Sequence, residues 1–300
     1  MAVGLLEIDP QAFPESFDRE PLGVRHTLAD HPLLTLDAIA ELADSLSLRS
    51  IERHTADLPV VMPGGADPVS GKPSETVRNI EHNGCWMVLW YIEQSPPYAN
   101  LLRECLDDVK PYLPPDVGRM QRAEAFLFLS APEAVTPVHF DPEHNFLLQI
   151  RGRKEMNVCK FENREAELAE LDRYFDGGHR NLDAMPSGQK TFRLEPREGV
   201  YVPSFMPHWV QNGDQVSVSL SITFRTRLSE RAERVHALNA RLRRLHLEPQ
   251  PPGKSAVADG AKEMAYVTFF GWRSRAGRLR RQLASRRHAA DPTAAERQAA

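Results

Sequence analysis

The sequence predicts a mainly β protein with flanking helices, built around a closed all-β barrel or sandwich. Three observations carry this expectation. From Arg122 to Phe224, short apolar and β-branched segments follow one another with turn residues between them. The last of these, Val216-Ser-Val-Ser-Leu-Ser-Ile-Thr-Phe224, alternates apolar and hydroxyl side chains with period two. That is the pattern of a strand with one face in the core and the other toward a wet cavity or solvent. The regions on either side carry apolar residues at helical spacing instead.

In chain order, residues 1–50 read as mixed loop and helix, with a helix over Pro32–Ala43 and Thr35 as its N-cap. Leu58–Met62 suits a short strand, and the Pro/Gly-rich run 63–73 a loop. Trp86–Ile92, aromatic and β-branched, reads as a buried strand. Tyr98–Tyr112 has helical periodicity and stops before Pro114-Pro115. Strands are then expected at Ala123–Ser130, Asn145–Ile150 and Lys154–Phe161, a helix at Glu162–Tyr174, and an irregular loop from Asp176. Lys190–Leu194, Gly199–Val202 and Val216–Phe224 complete the strands. Ser229–Leu247 places Val235, Leu238, Leu242 and Leu245 on one helical stripe; Pro249–Gly253 ends it, and residues to Gly260 read as a linker. An arginine-rich helix beside Phe269, Phe270 and Trp272 follows, with a disordered tail at 289–300. The expected division is an N-terminal region 1–120 packing on the core, a β core 121–228, and C-terminal helices with tail 229–300.

Composition narrows the function classes. The 300 residues are 41% hydrophobic and 26% charged, with net charge −4, so no global charge argues for nucleic acid or membrane. There is no run of eighteen apolar residues to cross a membrane, and the N-terminus lacks the basic start and apolar core of a secretory signal. Cys85, Cys105 and Cys159 fit neither a disulfide framework nor a zinc-finger spacing and suit a reducing cytoplasm. No glycine-rich phosphate loop and no nucleophile elbow is present.

The chemistry concentrates in two stretches. His139-x-Asp141 is followed by the apolar run Phe146–Ile150, a turn at Gly152 and Lys154. Downstream, Gly199–Gly213 carries His208 behind Pro203 and Pro207, which bring a strand into a tight turn. Two imidazoles and one carboxylate form the ligand set of a non-haem Fe(II) site that leaves one face of the metal open. Lys154, if it points inward beside that site, is costly to bury unless an anion joins it, and a dicarboxylate co-substrate supplies one; the plainer alternative is a surface lysine on a turn. Other residues have plain readings. His144 faces solvent or the substrate cleft, His179 is polar surface, Trp209 packs, and Cys159 fills the core.

The run Thr136-Pro-x-His-x-Asp-x3-Asn-x3-Gln-Ile-x-Gly-x-Lys154 resembles the motif of the JmjC/cupin-like 2-oxoglutarate oxygenases, especially the factor-inhibiting-HIF type asparaginyl hydroxylases. The resemblance is specific over 136–154 and 199–224. It implies a double-stranded β-helix (jelly-roll/cupin) core in which His139, Asp141 and His208 hold Fe(II), with 2-oxoglutarate and O2 as co-substrates. It also implies that Lys154 pairs with the far carboxylate of 2-oxoglutarate, that Thr136 hydrogen-bonds it, and that Asn145 is a polar pocket position. Ser221 stands where the family pattern has asparagine, and the Trp86–Tyr91 segment supplies the pocket wall. The implied activity is hydroxylation of a C–H bond, most readily of a protein or peptide side chain entering over the loops 62–84 and 162–190. A small metabolite, a tRNA base, or a non-catalytic cupin-like regulatory role are the alternatives; a cupin isomerase or dioxygenase without 2-oxoglutarate has no need of Lys154. The resemblance further suggests a homodimer formed through the C-terminal helices, whose arginines leave nucleic acid open without favouring it.

Overall fold

The computed structural model describes residues 4–55 and 71–270. In chain order the elements are β1 (Leu6–Glu7), α1 (Ala12–Ser16), β2 (Leu22–His26), α2 (Leu36–Ser45), β3 (Ile51–Thr55), α3 (Pro73–Arg78), β4 (Cys85–Leu89), α4 (Pro96–Val109) and β5 (Met120–Ser130). Then follow β6 (Val135–His139), β7 (His144–Arg151), β8 (Lys154–Lys160), α5 (Arg164–Phe175), β9 (Ser187–Leu194), β10 (Glu198–Val202), β11 (His208–Asn212), β12 (Ser217–Thr226), α6 (Arg227–Arg244) and α7 (Ala256–Phe269). The chain divides into two compact units, Met1–Glu230 and Arg231–Ala300.

In the first unit every strand pairing is antiparallel. An eight-stranded sheet runs β1-β2-β10-β7-β12-β5-β4-β3, and a four-stranded sheet runs β6-β11-β8-β9. The two sheets make a jelly roll, the β core with flanking helices that the strand pattern predicts. β12 is its spine, since it pairs with both β5 and β7. The alternation along β12 resolves as expected. Val218, Leu220, Ile222 and Phe224 enter the largest apolar cluster, where Phe13, Phe17, Leu28 and Ile39 of the N-terminal region and Leu101 and Cys105 of α4 meet the large sheet. Ser217, Ser219, Ser221 and Thr223 take the other face and are also buried. The main core thus lies on the outer face of the large sheet. Between the sheets a second, smaller cluster (Leu147, Met156, Val158, Val200, Val202 and Val210 among it) fills part of the interior. On the hydroxyl face of β12, Ser217 and Ser219 hydrogen-bond Gln149, and Ser221 and Thr223 line a cavity.

Local chemistry explains most element ends. Thr35 Oγ1 accepts from Ala38 N at 3.2 Å and caps α2, while Asn163 Oδ1 accepts from Ala166 N at 2.9 Å and caps α5. α4 starts two residues before the periodic stretch begins, because Pro96 and Pro97 occupy its first turn, where a missing N–H costs nothing. Gly152 turns β7 into β8 at φ 72°.

Two expectations are corrected. Residues 1–50 contain β1 and β2 as well as helix, and β2 lies along β10 with Val24 opposite Gly199. Leu22-Gly-Val-Arg-His26 has no strand signature of its own, and a ladder partner supplied by the barrel decides its state. In the second unit, the expected linker to Gly260 already belongs to α7. Ser255 caps that helix, its Oγ accepting from Ala258 N at 3.3 Å. There Arg231 and Arg234 both pair with Glu263, at 3.6 and 2.6 Å, and the Arg241 guanidinium lies 4.4 Å from the Phe270 ring centre. Leu58–Met62, the arginines from Arg273 onward and the tail lie outside the described residues. Among the described residues no helix is long and apolar enough to cross a membrane.

Candidate active site

The pairing of β6 with β11 brings the distant stretches together. His208 is the register partner of His139, so two residues far apart in sequence face each other across one ladder step, with ring centres 4.3 Å apart. Asp141, two residues beyond the end of β6, turns its Oδ2 to both imidazoles, 3.8 Å from His139 Nε2 and 3.5 Å from His208 Nε2. Among the described residues these three are the one group of ligand side chains able to hold a metal ion, with donor atoms all within 4.8 Å of one another.

The backbone fixes which nitrogen each imidazole offers. His139 Nδ1 donates to the Pro137 carbonyl at 2.8 Å, and His208 Nδ1 donates to the Met206 carbonyl at 2.9 Å. Both Nε2 atoms are therefore left as lone-pair donors aimed at the same point, the arrangement that orients histidine ligands in metal proteins. Burial, with the neighbouring His208, pushes His139 down to about 3, so it is neutral at physiological pH. Burial by itself would raise Asp141. The Arg180 guanidinium and the two neighbouring imidazoles outweigh it, and the carboxyl sits well below the usual range. Two imidazole nitrogens and a carboxylate in a pocket open on one side fit a divalent first-row metal such as Fe(II).

A cavity of about 460 Å³ opens over these groups. Lys154, at the start of β8, is 6% exposed and lines it, and so do Thr136, Asn145 and Ser221. Ser221 Oγ donates to Asn145 Oδ1 at 2.8 Å, which ties β12 to β7 across the cavity floor. Lys154 pairs in register with Asn212, four residues along β11 from His208. At ~3.3 Å per strand residue, the two α-carbons are roughly 13 Å apart along the strand, a gap that a lysine stem and a short diacid together bridge. Among the described residues no carboxylate pairs with Lys154, and burial pushes its ammonium down to about 7. Two further polar atoms line the cavity without a hydrogen-bond partner among the described residues, Asn212 Oδ1 and Thr223 Oγ1. Unmet buried groups of this kind cost ~1–3 kcal/mol each, a cost that a polar ligand or water in the cavity relieves. An unpaired buried cation beside such atoms suits a small anionic guest.

Trp86, Trp90, Tyr91, Phe126 and Phe128 form one wall, so the expected wall segment does face the cavity. Trp90 Nε1 donates to Glu52 Oε2 at 3.0 Å, and Tyr91 is held in the left-handed region at φ 58°. Of the loops expected to admit substrate, residues 177–181 border the cavity, whereas none of 71–84 does, and 56–70 lie outside the described residues. His179 is exposed on that border.

One reading of the sequence fails here. His144 faces neither solvent nor cleft: it is fully buried, its ring between Phe17 and Phe224, and its Nδ1 is 3.0 Å from the Tyr201 hydroxyl. β7 begins at His144 and sends that side chain to the outer face of the large sheet, while Asn145 turns inward. Sequence reasoning also missed Arg180, whose Nη1 hydrogen-bonds Asp141 Oδ1. The Gly-Gly-His-Arg run carries no signal for that contact.

Fold and site together define a jelly roll with a two-histidine, one-carboxylate centre at one mouth and a buried lysine within. Residues 116–232 match the JmjC domain family. Solved structures resemble the chain more loosely. The Escherichia coli ribosomal oxygenase YcfD aligns at TM-score 0.49 and 17% identity, over 88% of this chain and 66% of that one. YcfD in complex with cobalt and 2-oxoglutarate aligns at TM-score 0.48 and 17% identity, with the same coverage. The DMSP lyase DddQ from Ruegeria pomeroyi aligns at TM-score 0.23 and 17% identity, over 34% of this chain and 38% of that one. The chain therefore spans just under two thirds of the first YcfD structure, and no curated protein matches it.

Proposed function

We propose that this protein is an Fe(II)- and 2-oxoglutarate-dependent oxygenase that hydroxylates a C–H bond, with catalysis in 121–228 and a protein or peptide side chain as substrate. The observation that carries the reading is Lys154, a buried cation with no carboxylate partner among the described residues, in the same cavity as His139, Asp141 and His208.

His139, Asp141 and His208 would hold the metal through two Nε2 atoms and one carboxylate oxygen. When bound, iron supplies the activation of O2 that couples oxidative decarboxylation of 2-oxoglutarate to C–H hydroxylation. The chain's own part is to bind, orient and exclude water. Lys154 meets the far carboxylate of the co-substrate, and Thr136, Asn145 and Ser221 offer hydroxyl and amide groups along its length. The aromatic wall keeps water from the reacting end, and the half-exposed Tyr91 with Trp90 gives an extended chain a surface to lie on. That open, aromatic mouth favours a side chain presented by a peptide over a small metabolite or a tRNA base. Asparagine, to which the motif resemblance points, is the first side chain to test.

Anaerobic addition of Fe(II) and then 2-oxoglutarate should give the charge-transfer absorption of the chelate, followed by O2-dependent succinate formation. His208→Ala should lose both. Lys154→Ala should lose saturation by 2-oxoglutarate while still binding metal. An unchanged 2-oxoglutarate requirement in Lys154→Ala overturns the co-substrate assignment.

Exposed apolar side chains on the second unit, with Leu245 and Met264 each 70% exposed and Phe269 68%, support a second copy as partner, which sedimentation tests directly. The three free, buried cysteines suit a reducing compartment such as the cytoplasm.

A further inference from the structure

We infer that Arg180 is a positioning residue that fixes Asp141 as a one-oxygen metal ligand, held in place by a loop that α5 clamps onto the edge of the small sheet. The inference rests on the metal-binding part of the proposed function.

The two oxygens of Asp141 have separate partners. Oδ2 faces His139 and His208, and Oδ1 hydrogen-bonds Arg180 Nη1. A carboxylate engaged on one oxygen by a guanidinium has one oxygen left for a metal, and it loses the freedom to rotate into two-oxygen coordination. With two imidazoles already present, one-oxygen binding keeps three protein ligands on the metal and the remaining positions free.

The backbone around Arg180 is positioned to hold this contact. β6 is an edge strand of the small sheet, and residues 180–182 lie along its free side. His139 bridges to Asn181, Phe140 N donates to Arg180 O at 3.3 Å, and Leu182 N donates to Val138 O at 3.0 Å. On the opposite side Arg173, in the last turn of α5, brackets the same residue. Its Nη1 donates to His179 O at 2.8 Å and its Nη2 to Asn181 O at 2.7 Å. Glu170 accepts from Arg173 Nε at 3.0 Å and so holds the bracket itself. Arg180 is thus pinned on each flank, and its side chain reaches the carboxylate beside the cavity. Two backbone–backbone hydrogen bonds and two more from the Arg173 guanidinium hold the segment around Arg180, and an ion pair serving only stability has no need of them.

Two consequences of removing the guanidinium oppose each other. Its charge repels a divalent cation, so loss could tighten binding; it also orients the ligand, so loss should weaken binding. A metal held on the Oδ2 side of Asp141 would have the carboxylate between itself and the guanidinium, which would screen the first effect, so the second should prevail.

The test is Co(II) binding by the metal-free wild type, Arg180→Gln and Arg180→Lys, measured by calorimetry and by the visible absorption of the bound ion. Arg180→Gln should weaken Co(II) binding about 10- to 100-fold, the usual scale for losing a group that orients a metal ligand. It should also alter the Co(II) bands, because a second carboxylate oxygen changes the coordination number. Arg180→Lys keeps the charge without the planar fork and should fall between. Circular dichroism identifies any variant that fails to fold, and Arg180→Lys then decides alone. Binding by both variants within twofold of wild type, or tighter, with an unchanged Co(II) spectrum overturns the inference and leaves the metal site standing. A wild type that binds no Co(II) overturns the proposed function itself.

Discussion

Replacing Lys154 by methionine should stabilise the ligand-free protein while abolishing its response to 2-oxoglutarate. Methionine matches the lysine stem in length and shape, so no cavity is created. What it removes is a buried ammonium. Lys154 titrates at 10.5 when unfolded, and burial pushes it down to about 7 in the fold. Between about pH 7 and 10.5 the unfolded chain therefore carries a proton that the folded chain has released, and stability rises with pH across that window. Below pH 7 the folded chain bears the full cost. At about 1.4 kcal/mol per pKa unit, this is bounded at roughly 5 kcal/mol, and relaxation with water entering the cavity lowers it to an expected ~2–4 kcal/mol. Urea unfolding of metal-free protein at pH 6 and pH 9 reads it directly. Wild type should be less stable than Lys154→Met at pH 6, and the gap should narrow by pH 9. Adding Co(II) with 2-oxoglutarate should then reverse the order by stabilising wild type alone. If Lys154→Met is less stable at both pH values and the gap does not move, the ammonium is not held dry in the cavity, and the co-substrate assignment loses its support.

Three further outcomes follow from the same geometry. His26, His139 and His144 are each held far below the ordinary histidine value, to about 4, 3 and 3, with burial the largest cause. The unfolded chain takes up these protons first, so stability should fall as pH drops below 6.5; His144→Phe should remove one proton's share of that slope, ~1.4 kcal/mol per pH unit, in an acid-unfolding series. Gly152→Ala would place a Cβ 2.2 Å from the Val216 carbonyl at φ 72°. Expected is a loss of about 2–4 kcal/mol by urea unfolding, with weaker 2-oxoglutarate binding, because the turn delivers Lys154. His208→Ala should show no change in thermal midpoint between Co(II) and chelator, whereas Co(II) should raise the wild-type midpoint.

Much of this protein is legible before folding. The period-two run from Ser217 to Thr223 announces a strand with a polar inner face, and Thr35 caps α2 as the sequence indicates. The site residues could be chosen because their types are chemically scarce together, and His139, Asp141, Lys154 and His208 do share one cavity. Where the sequence misled, a partner distant in the chain made the decision. β2 is a strand because β10 lies beside it. His144 is core because β7 starts one residue before Asn145 turns inward.

What the amino-acid order determined, then, is the inventory: the periodic strands and helices of the core, and which side chains could serve a metal and an anion. The tertiary structure alone decided that His208 would sit opposite His139, that Lys154 would lie in the cavity without a carboxylate to meet it, and that Arg180 would come to rest on Asp141. Periodicity and capping act within a few residues and can be read along the chain. Register, burial and charge pairing depend on which strands close against each other, and that is set by the packing of the whole barrel.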